Sequence, residues 1–186
     1  MIGYAFCGSF CTLSRSLDVL KKLKNKGYDV QPIVSEHVFH TDTRFQRAAD
    51  FVASLEAICS RPVLHTIPET EPLGPRTPLE ALIVAPCTGN TLAKVAAGIT
   101  DTAVTMAIKA HLREDRPTLI ALASNDALSQ NLASIATLLC RKRVYFVPLK
   151  QDDPVHKPHS LVADLERIPE ALEAALCDRQ LRPLFV

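Results

Sequence analysis

The chain alternates between short runs of consecutive apolar residues and longer stretches in which apolar residues recur every three or four positions. Ile2 to Cys7 is such a run, and Gly8-Ser9 follows it, which reads as a buried strand ending in a turn. From Thr12 the period changes. Leu13, Leu17, Leu20 and Leu23 fall at helical spacing, with Lys21, Lys22 and Lys24 on the other side and Gly27 as a stop. Val30 to Val34 is a second apolar run. Strand, loop, helix and strand in this order predict a right-handed βαβ unit in a parallel sheet.

The same alternation continues. Phe45, Ala48, Val52, Leu55 and Cys59 predict a second amphipathic helix, with Thr41 or Asp42 as its cap. Pro62 to Ile67 suggests a short strand, and four prolines make Pro68 to Pro78 a loop. Ala81 to Ala85 is a third clear strand; a helix through Leu92, Val95 and Ala96 ends at Gly98. Asp101 is placed to cap a helix through Val104, Ile108 and Leu112. Thr118 to Leu122 reads as strand, Ala127 to Arg141 as helix and Val144 to Val147 as the last strand. Pro169 suits the first turn of a terminal helix through Leu172 and Leu176. The expected fold is α/β: a three-layer, doubly wound parallel sheet of Rossmann-like type. With 186 residues and no repeat or linker, the chain is expected to form one domain over 1–186. Residues 178–186 stand as a candidate docking arm, because Leu181, Pro183, Leu184, Phe185 and Val186 follow no helical period. Packing of this segment on its own domain is the equal alternative.

Charge and composition narrow the function. Twenty-one basic and twenty acidic residues leave a net charge of +1, and the longest basic run is Arg141-Lys142-Arg143. That run is better placed to complement a helix C-terminus than to bind phosphate backbones, so nucleic acid is disfavoured. No apolar run reaches the ~20 residues of a membrane span. Cys7, Cys59, Cys87 and Cys140 sit in or beside apolar segments, and no secretion signal leads in, which points to reduced thiols and a cytoplasmic protein.

Doubly wound folds bind ligands at the carboxyl ends of their strands, which singles out four loops. In the first, Gly8 permits a tight turn, while Ser9, Phe10 and Thr12 open a helix whose N–H groups suit a phosphate; plain helix capping by Ser9 or Thr12 is the alternative. The loop lacks the several glycines of a dinucleotide site and the P-loop pattern, so a mononucleotide such as FMN fits better than NAD. The second loop offers Ser35 as a phosphate donor and Glu36 for a ribose hydroxyl. His37, His40 and Asp42 resemble a metal cluster, but no metal is expected, since such loop triplets are more often solvated. The third loop, Pro86-Cys87-Thr88-Gly89-Asn90-Thr91, gathers hydroxyls, a glycine and an amide that can read a ring edge or a carboxylate; a capped helix, or a nucleophilic Cys87, are the alternatives. The fourth supplies Ser124 and Asn125, as cleft residues or only as a cap.

A strand followed by Pro86-Cys87-Thr88-Gly89-Asn90-Thr91 and a helix ending Gly98-Ile99-Thr100-Asp101 resembles the homo-oligomeric flavin-containing cysteine decarboxylases. That resemblance implies FMN held by the third loop, with Asn90 handling a substrate carboxylate. A closer resemblance runs nearly the whole length: Thr41-Asp42-Thr43-Arg44-Phe45, Glu71-Pro72-Leu73-Gly74-Pro75, Ser124-Asn125-Asp126-Ala127-Leu128, Gln151-Asp152-Asp153-Pro154 and Arg179-Gln180-Leu181-Arg182-Pro183 are similar to the family of dipicolinate synthase B subunits. It implies an oxidoreductase component that helps to oxidise dihydrodipicolinate to dipicolinic acid in the mother cell of a sporulating bacterium. It also implies a partner, the dipicolinate synthase A component, that resembles a dehydrogenase and carries NAD(P); the resemblance to the flavin-containing decarboxylases implies a homo-oligomer. Asn90 and Asn125 are then expected at the dicarboxylate substrate. FMN is expected at Gly8, Ser9, Phe10, Thr12, Ser35, Pro86, Cys87, Thr88, Gly89, Asn90, Thr91 and Ser124. A non-catalytic scaffold for the A component, or a flavin-dependent decarboxylase, are the alternatives. The decarboxylases carry proline-x-Met-Asn where this chain reads Ala123-Ser124-Asn125, and their catalytic histidine has only His65 as a nearby match.

Overall fold

A computed structural model describes all 186 residues. The first half follows the hydrophobic pattern closely. β1 (Ile2–Phe6) leads through a 3-10 turn at Phe10–Thr12 into α1 (Leu13–Asn25), then β2 (Val30–Val34), α2 (Glu36–His40), α3 (Ala48–Cys59) and α4 (Ile67–Thr70). β3 (Leu82–Thr88), α5 (Gly89–Ala97), α6 (Ala103–Leu112) and β4 (Thr118–Ser124) follow. The remainder is α7 (Leu132–Leu139), β5 (Val144–Phe146), β6 (Leu149–Lys150), β7 (Leu161–Ala163) and α8 (Ile168–Leu176).

The sheet has seven strands in the order β2-β1-β3-β4-β7-β6, with β5 also on β4. β1 to β5 pair in parallel, as expected for strands that read as unbroken apolar runs. β7 runs antiparallel to β4 and to β6, which makes the sheet mixed at that side. α1 is linked by the ion pair Lys22–Glu166 to the 3-10 turn Leu165–Arg167 that precedes α8, and by Lys26–Glu173 to α8 itself, while α4 to α7 pack with one another. The fold is therefore the α/β doubly wound arrangement, with an antiparallel margin of two or three residues per strand that no periodicity could announce.

Strand order reverses between β1 and β3, and the crevice at such a switch point is where ligands sit. A buried polar tie holds α1 over it. The Tyr4 hydroxyl donates to the Ser16 carbonyl at 3.2 Å, and the Ser16 hydroxyl donates to the Ala85 carbonyl at 2.6 Å. β1, α1 and β3 are thus fixed relative to one another by groups that would be costly to bury unpaired.

Several expected boundaries move, each for a local reason. α3 begins at Ala48 rather than Phe45, because the Asp42 carboxylate accepts from the Ala48 N–H at 2.8 Å and leaves Phe45 outside, 51% exposed. Within the expected 68–78 loop a helical turn forms, with Pro68 in its first turn, where the missing N–H does no harm. The strand expected at Pro62 to Ile67 shrinks to one bridge, Ile33 to Leu64. Thr102, not Asp101, caps α6, accepting from the Thr105 N–H at 3.2 Å, while Asp101 pairs with Lys94. β3 runs past Ala85 through Pro86, Cys87 and Thr88, its register shifting between Val84 and Cys87. α7 starts at Leu132 instead of Ala127, because Asp126 draws Ser124 and Asn131 to itself and the Leu128 N–H turns to the His159 carbonyl. No helix is long and apolar enough to cross a membrane.

Candidate functional site

Two adjoining clefts open where β1 and β3 end. The smaller, about 240 Å³, is bounded by Gly8, Phe10, Ser35, His37, Thr91 and Lys94; the larger, about 390 Å³, by Ser9, Thr12, Arg15, Ser124, Asn125 and Lys157. Gly8, Thr88 and Asn90 line both, so the two form one continuous site. A larger hollow of about 660 Å³ near Arg141 and Asp178 lies at the opposite ends of the strands, beside the start of β5.

The first loop presents free hydrogen-bond donors to the clefts. Neither Ser9 nor Thr12 caps a helix with its side chain; the Thr12 hydroxyl instead donates to Ser9, to its carbonyl at 2.8 Å and its hydroxyl at 2.9 Å. The N–H groups of Gly8, Phe10 and Cys11 make no hydrogen bond within the chain. Helix-start N–H groups left in this state attract phosphate or carboxylate. Beside them, at the end of β2, the Ser35 hydroxyl is buried and without a partner. Buried hydroxyls are normally satisfied, so this one, at the edge of the smaller cleft, is free to pair with a bound group.

The third loop divides its work. Thr88 is a true cap, accepting from the Thr91 N–H at 3.3 Å. The Thr91 hydroxyl contacts the Cys7 thiol at 3.4 Å, tying the loop to β1. Asn90 is exposed to both clefts and lacks any side-chain hydrogen bond inside the chain, so donor and acceptor are both free. Gly89 is buried under the fourth loop: a Cβ there would run into the Ser124 hydroxyl and lie 2.7 Å from the Asn131 amide and 2.9 Å from the Asp126 carboxylate. Pro86 and Cys87 lie inside β3, and neither lines a cleft. Ser124 and Asn125 do reach the larger cleft, Ser124 as a donor to Asp126.

The acids near the site are occupied. Glu36 accepts from the Ala103 N–H at 3.3 Å, and so serves the start of α6 rather than standing free for a ribose. The Asp126 carboxyl is held below its usual range, first by the Ser124 hydroxyl and then by the Asn131 amide. His37 faces the smaller cleft, while His40 packs with Phe39, and His65 stacks on the Phe39 ring at 3.6 Å. No three His, Cys, Asp or Glu side chains come together as a metal site. Sequence patterns do not single out Arg15, Lys94, Asp126 or Lys157 as cleft residues. The 151–160 segment joins two strands too short to be read from the sequence, which hides the approach of Lys157.

Comparison with known proteins gives the family and the fold. The Flavoprotein family matches residues 1–162. The dipicolinate synthase B subunit of Bacillus subtilis (strain 168) is 38% identical over 185 residues, covering 100% of this chain and 92% of that protein. The crystal structure of the dipicolinate synthase B subunit from Bacillus halodurans superposes with a TM-score of 0.92 at 38% identity, over 100% of this chain and 95% of the other. The FMN-dependent cysteine decarboxylase SpaF shares the fold, with a TM-score of 0.69 at 20% identity over 95% and 94% of the two chains.

Proposed function

The chain belongs to the flavoprotein family, among its dipicolinate synthase B subunits, and from that premise we propose that it binds FMN at the switch-point clefts and takes part in oxidising dihydrodipicolinate to dipicolinic acid in the sporulating mother cell. The observation that carries the flavin reading is the buried, unpartnered Ser35 hydroxyl beside the free N–H groups of the first loop. Hydroxyls and helix-start N–H groups in this arrangement suit one terminal phosphate. A single glycine in that loop disfavours the pyrophosphate of NAD or FAD.

In this reading Gly8, Ser9, Phe10, Thr12, Ser35 and Thr91 hold the phosphate side. Thr88, Gly89 and Ser124 border the ring. Asn90 and Asn125 donate amide N–H groups to a substrate carboxylate, which fixes the substrate's orientation across the site. Bound FMN would supply a hydride acceptor, the chemistry that aromatisation of a dihydropyridine requires. The partner is the dehydrogenase-like A component of the synthase, carrying NAD(P), and the chain itself forms a homo-oligomer.

A second reading, in which this chain positions the A component without chemistry of its own, draws on the paired state of the acids near the cleft: Glu36, Asp101, Asp126 and Asp152 all hold partners within the chain. Three measurements distinguish the readings: the absorbance spectrum of the purified protein, titrations with FMN, FAD and NAD, and turnover of dihydrodipicolinate by each component alone and together. Preference for NAD would overturn the cofactor assignment. Full activity of the two components together, with no flavin bound by this chain, would favour the scaffold.

A further inference from the structure

Three cations border the joined clefts, and two of them are already paired. Lys94 donates to both carboxylate oxygens of Asp101, at 2.8 and 2.9 Å, and Lys157 donates to Asp152 at 3.3 Å. Arg15 lines the larger cleft, is exposed and pairs with no carboxylate. Its position makes this unusual. Arg15 stands in the first turn of α1, where no acidic residue is present. A cation there is opposed by the helix dipole, by about 0.3–1 kcal/mol. The free N–H groups of Gly8, Phe10 and Cys11 add to the same positive end. Arg15 and these N–H groups thus form a positive corner that makes no ion pair within the chain.

The acids of the same cleft add a second constraint. Asp126 and Asp152 both border the larger cleft. They repel any anion that enters, so an anionic ligand needs an unpaired cation to settle there. We infer that Arg15 is the residue that recognises one carboxylate of a small pyridine dicarboxylate, through the paired N–H groups of its guanidinium, while Asn90 and Asn125 take the other. The inference rests on the functional reading above and adds to it the origin of diacid selectivity. In that reading the phosphate lies towards Ser35 in the smaller cleft, whereas Arg15 lines only the larger, which it shares with Ser9 and Thr12, so the flavin arms of the test decide between phosphate and substrate. A guanidinium matches a carboxylate in two parallel hydrogen bonds, which a lysine cannot reproduce.

The test is calorimetric titration of the FMN-loaded protein, in metal-free buffer, with pyridine-2,6-dicarboxylate and with pyridine-2-carboxylate. The wild type is compared with Arg15→Ala and Arg15→Lys, and FMN and riboflavin affinities are measured for each. The expected result is a loss of about tenfold or more in diacid affinity for Arg15→Ala. Its preference for diacid over monoacid falls, Arg15→Lys is intermediate, and both flavin affinities are unchanged. Diacid affinity within twofold of wild type in Arg15→Ala overturns the inference. So does a loss of FMN affinity, whether riboflavin binding is retained, which assigns Arg15 to the phosphate, or lost as well, which assigns it to the ring. A wild-type protein that binds FMN but no pyridine dicarboxylate refutes the functional reading itself, and this inference falls with it.

Discussion

Asn90 is suited to separate binding from folding, since its side chain borders both halves of the cleft and makes no hydrogen bond inside the chain. Asn90→Ala should leave the melting temperature within about a degree and weaken diacid binding by about 1.5–3 kcal/mol, the usual contribution of hydrogen bonds to a charged partner. Equal losses in melting temperature and affinity would make Asn90 a structural residue. Gly89 predicts the opposite balance. A methyl group there would meet Ser124, Asn131 and Asp126, all closer than 3.0 Å, so Gly89→Ala must break their network or displace α5. Overpacking of this kind costs about 1–3 kcal/mol, visible as a lowered melting temperature, and flavin affinity should fall with it. His111 is a structural residue with a pH signature. It is fully buried, its Nε2–H donates to the Pro117 carbonyl at 2.9 Å, and its Nδ1 has no partner. Burial pushes its pKa down from 6.5 to about 4. The unfolded chain therefore takes up the proton first as pH falls. The stability that neutral His111 provides is complete above pH 6.5 and is lost from there down towards pH 4. Urea unfolding at pH 7.5 and pH 5 should show a loss of about 2 kcal/mol from this group, and His111→Gln should flatten that dependence. An unchanged slope in the variant would show that other groups set the acid sensitivity.

At the scale of elements, caps decide what periodicity cannot. The apolar runs place β1, β2, β3 and β4 because a strand buried on both faces reads as unbroken hydrophobic sequence. Helix starts are less legible, because their caps come from distant residues: Asp42 serves α3 across six positions, and Glu36 serves α6 across sixty-seven. α7 begins five residues later than the pattern predicts: Leu128 sits at helical spacing, yet Asp126 holds the preceding segment in turns. The same physics limits how much of the site can be read. Loops at strand ends are found from the strands, and they supply Gly8, Ser35, Asn90 and Asn125. Arg15 and Lys157 come from a helix flank and a hairpin loop, where only folding shows which way they face. Asp42→Ala tests the long-range cap directly. It should cost about 1 kcal/mol and loosen the start of α3 while leaving FMN binding intact. Hydrogen exchange at Ala48 and its neighbours would report this, and protection equal to wild type would mean that the cap does not hold the helix.

On the scale of the whole molecule, the C-terminal segment has two faces to explain. One closes the sheet: the Gln180 amide brackets Phe146, accepting from its N–H at 2.9 Å and donating to its carbonyl at 2.7 Å. Leu149 then donates to the Leu184 carbonyl at 2.7 Å and accepts from Val186 at 2.9 Å. These contacts cover backbone edges of β5 and β6 that would otherwise be open to pairing with another chain. The other face leaves Phe185 and Val186 more than half exposed, at 56% and 58%. Sealing its own sheet accounts for the backbone contacts but not for the exposed pair, which is the part available to the synthase's A component or to another copy of the chain. Two variants separate the roles. Deleting residues 180–186 removes four hydrogen bonds, worth about 0.5–1.5 kcal/mol each. Stability should fall and the bared edges should promote aggregation. Replacing Phe185 and Val186 together with serine keeps the backbone pairing, so the melting temperature should hold. Association with the A component, followed by light scattering and by coupled turnover of dihydrodipicolinate, should weaken. If the double-serine protein associates and turns over as the wild type does, the segment seals the sheet and nothing more, and it has no part in the proposed association with the A component.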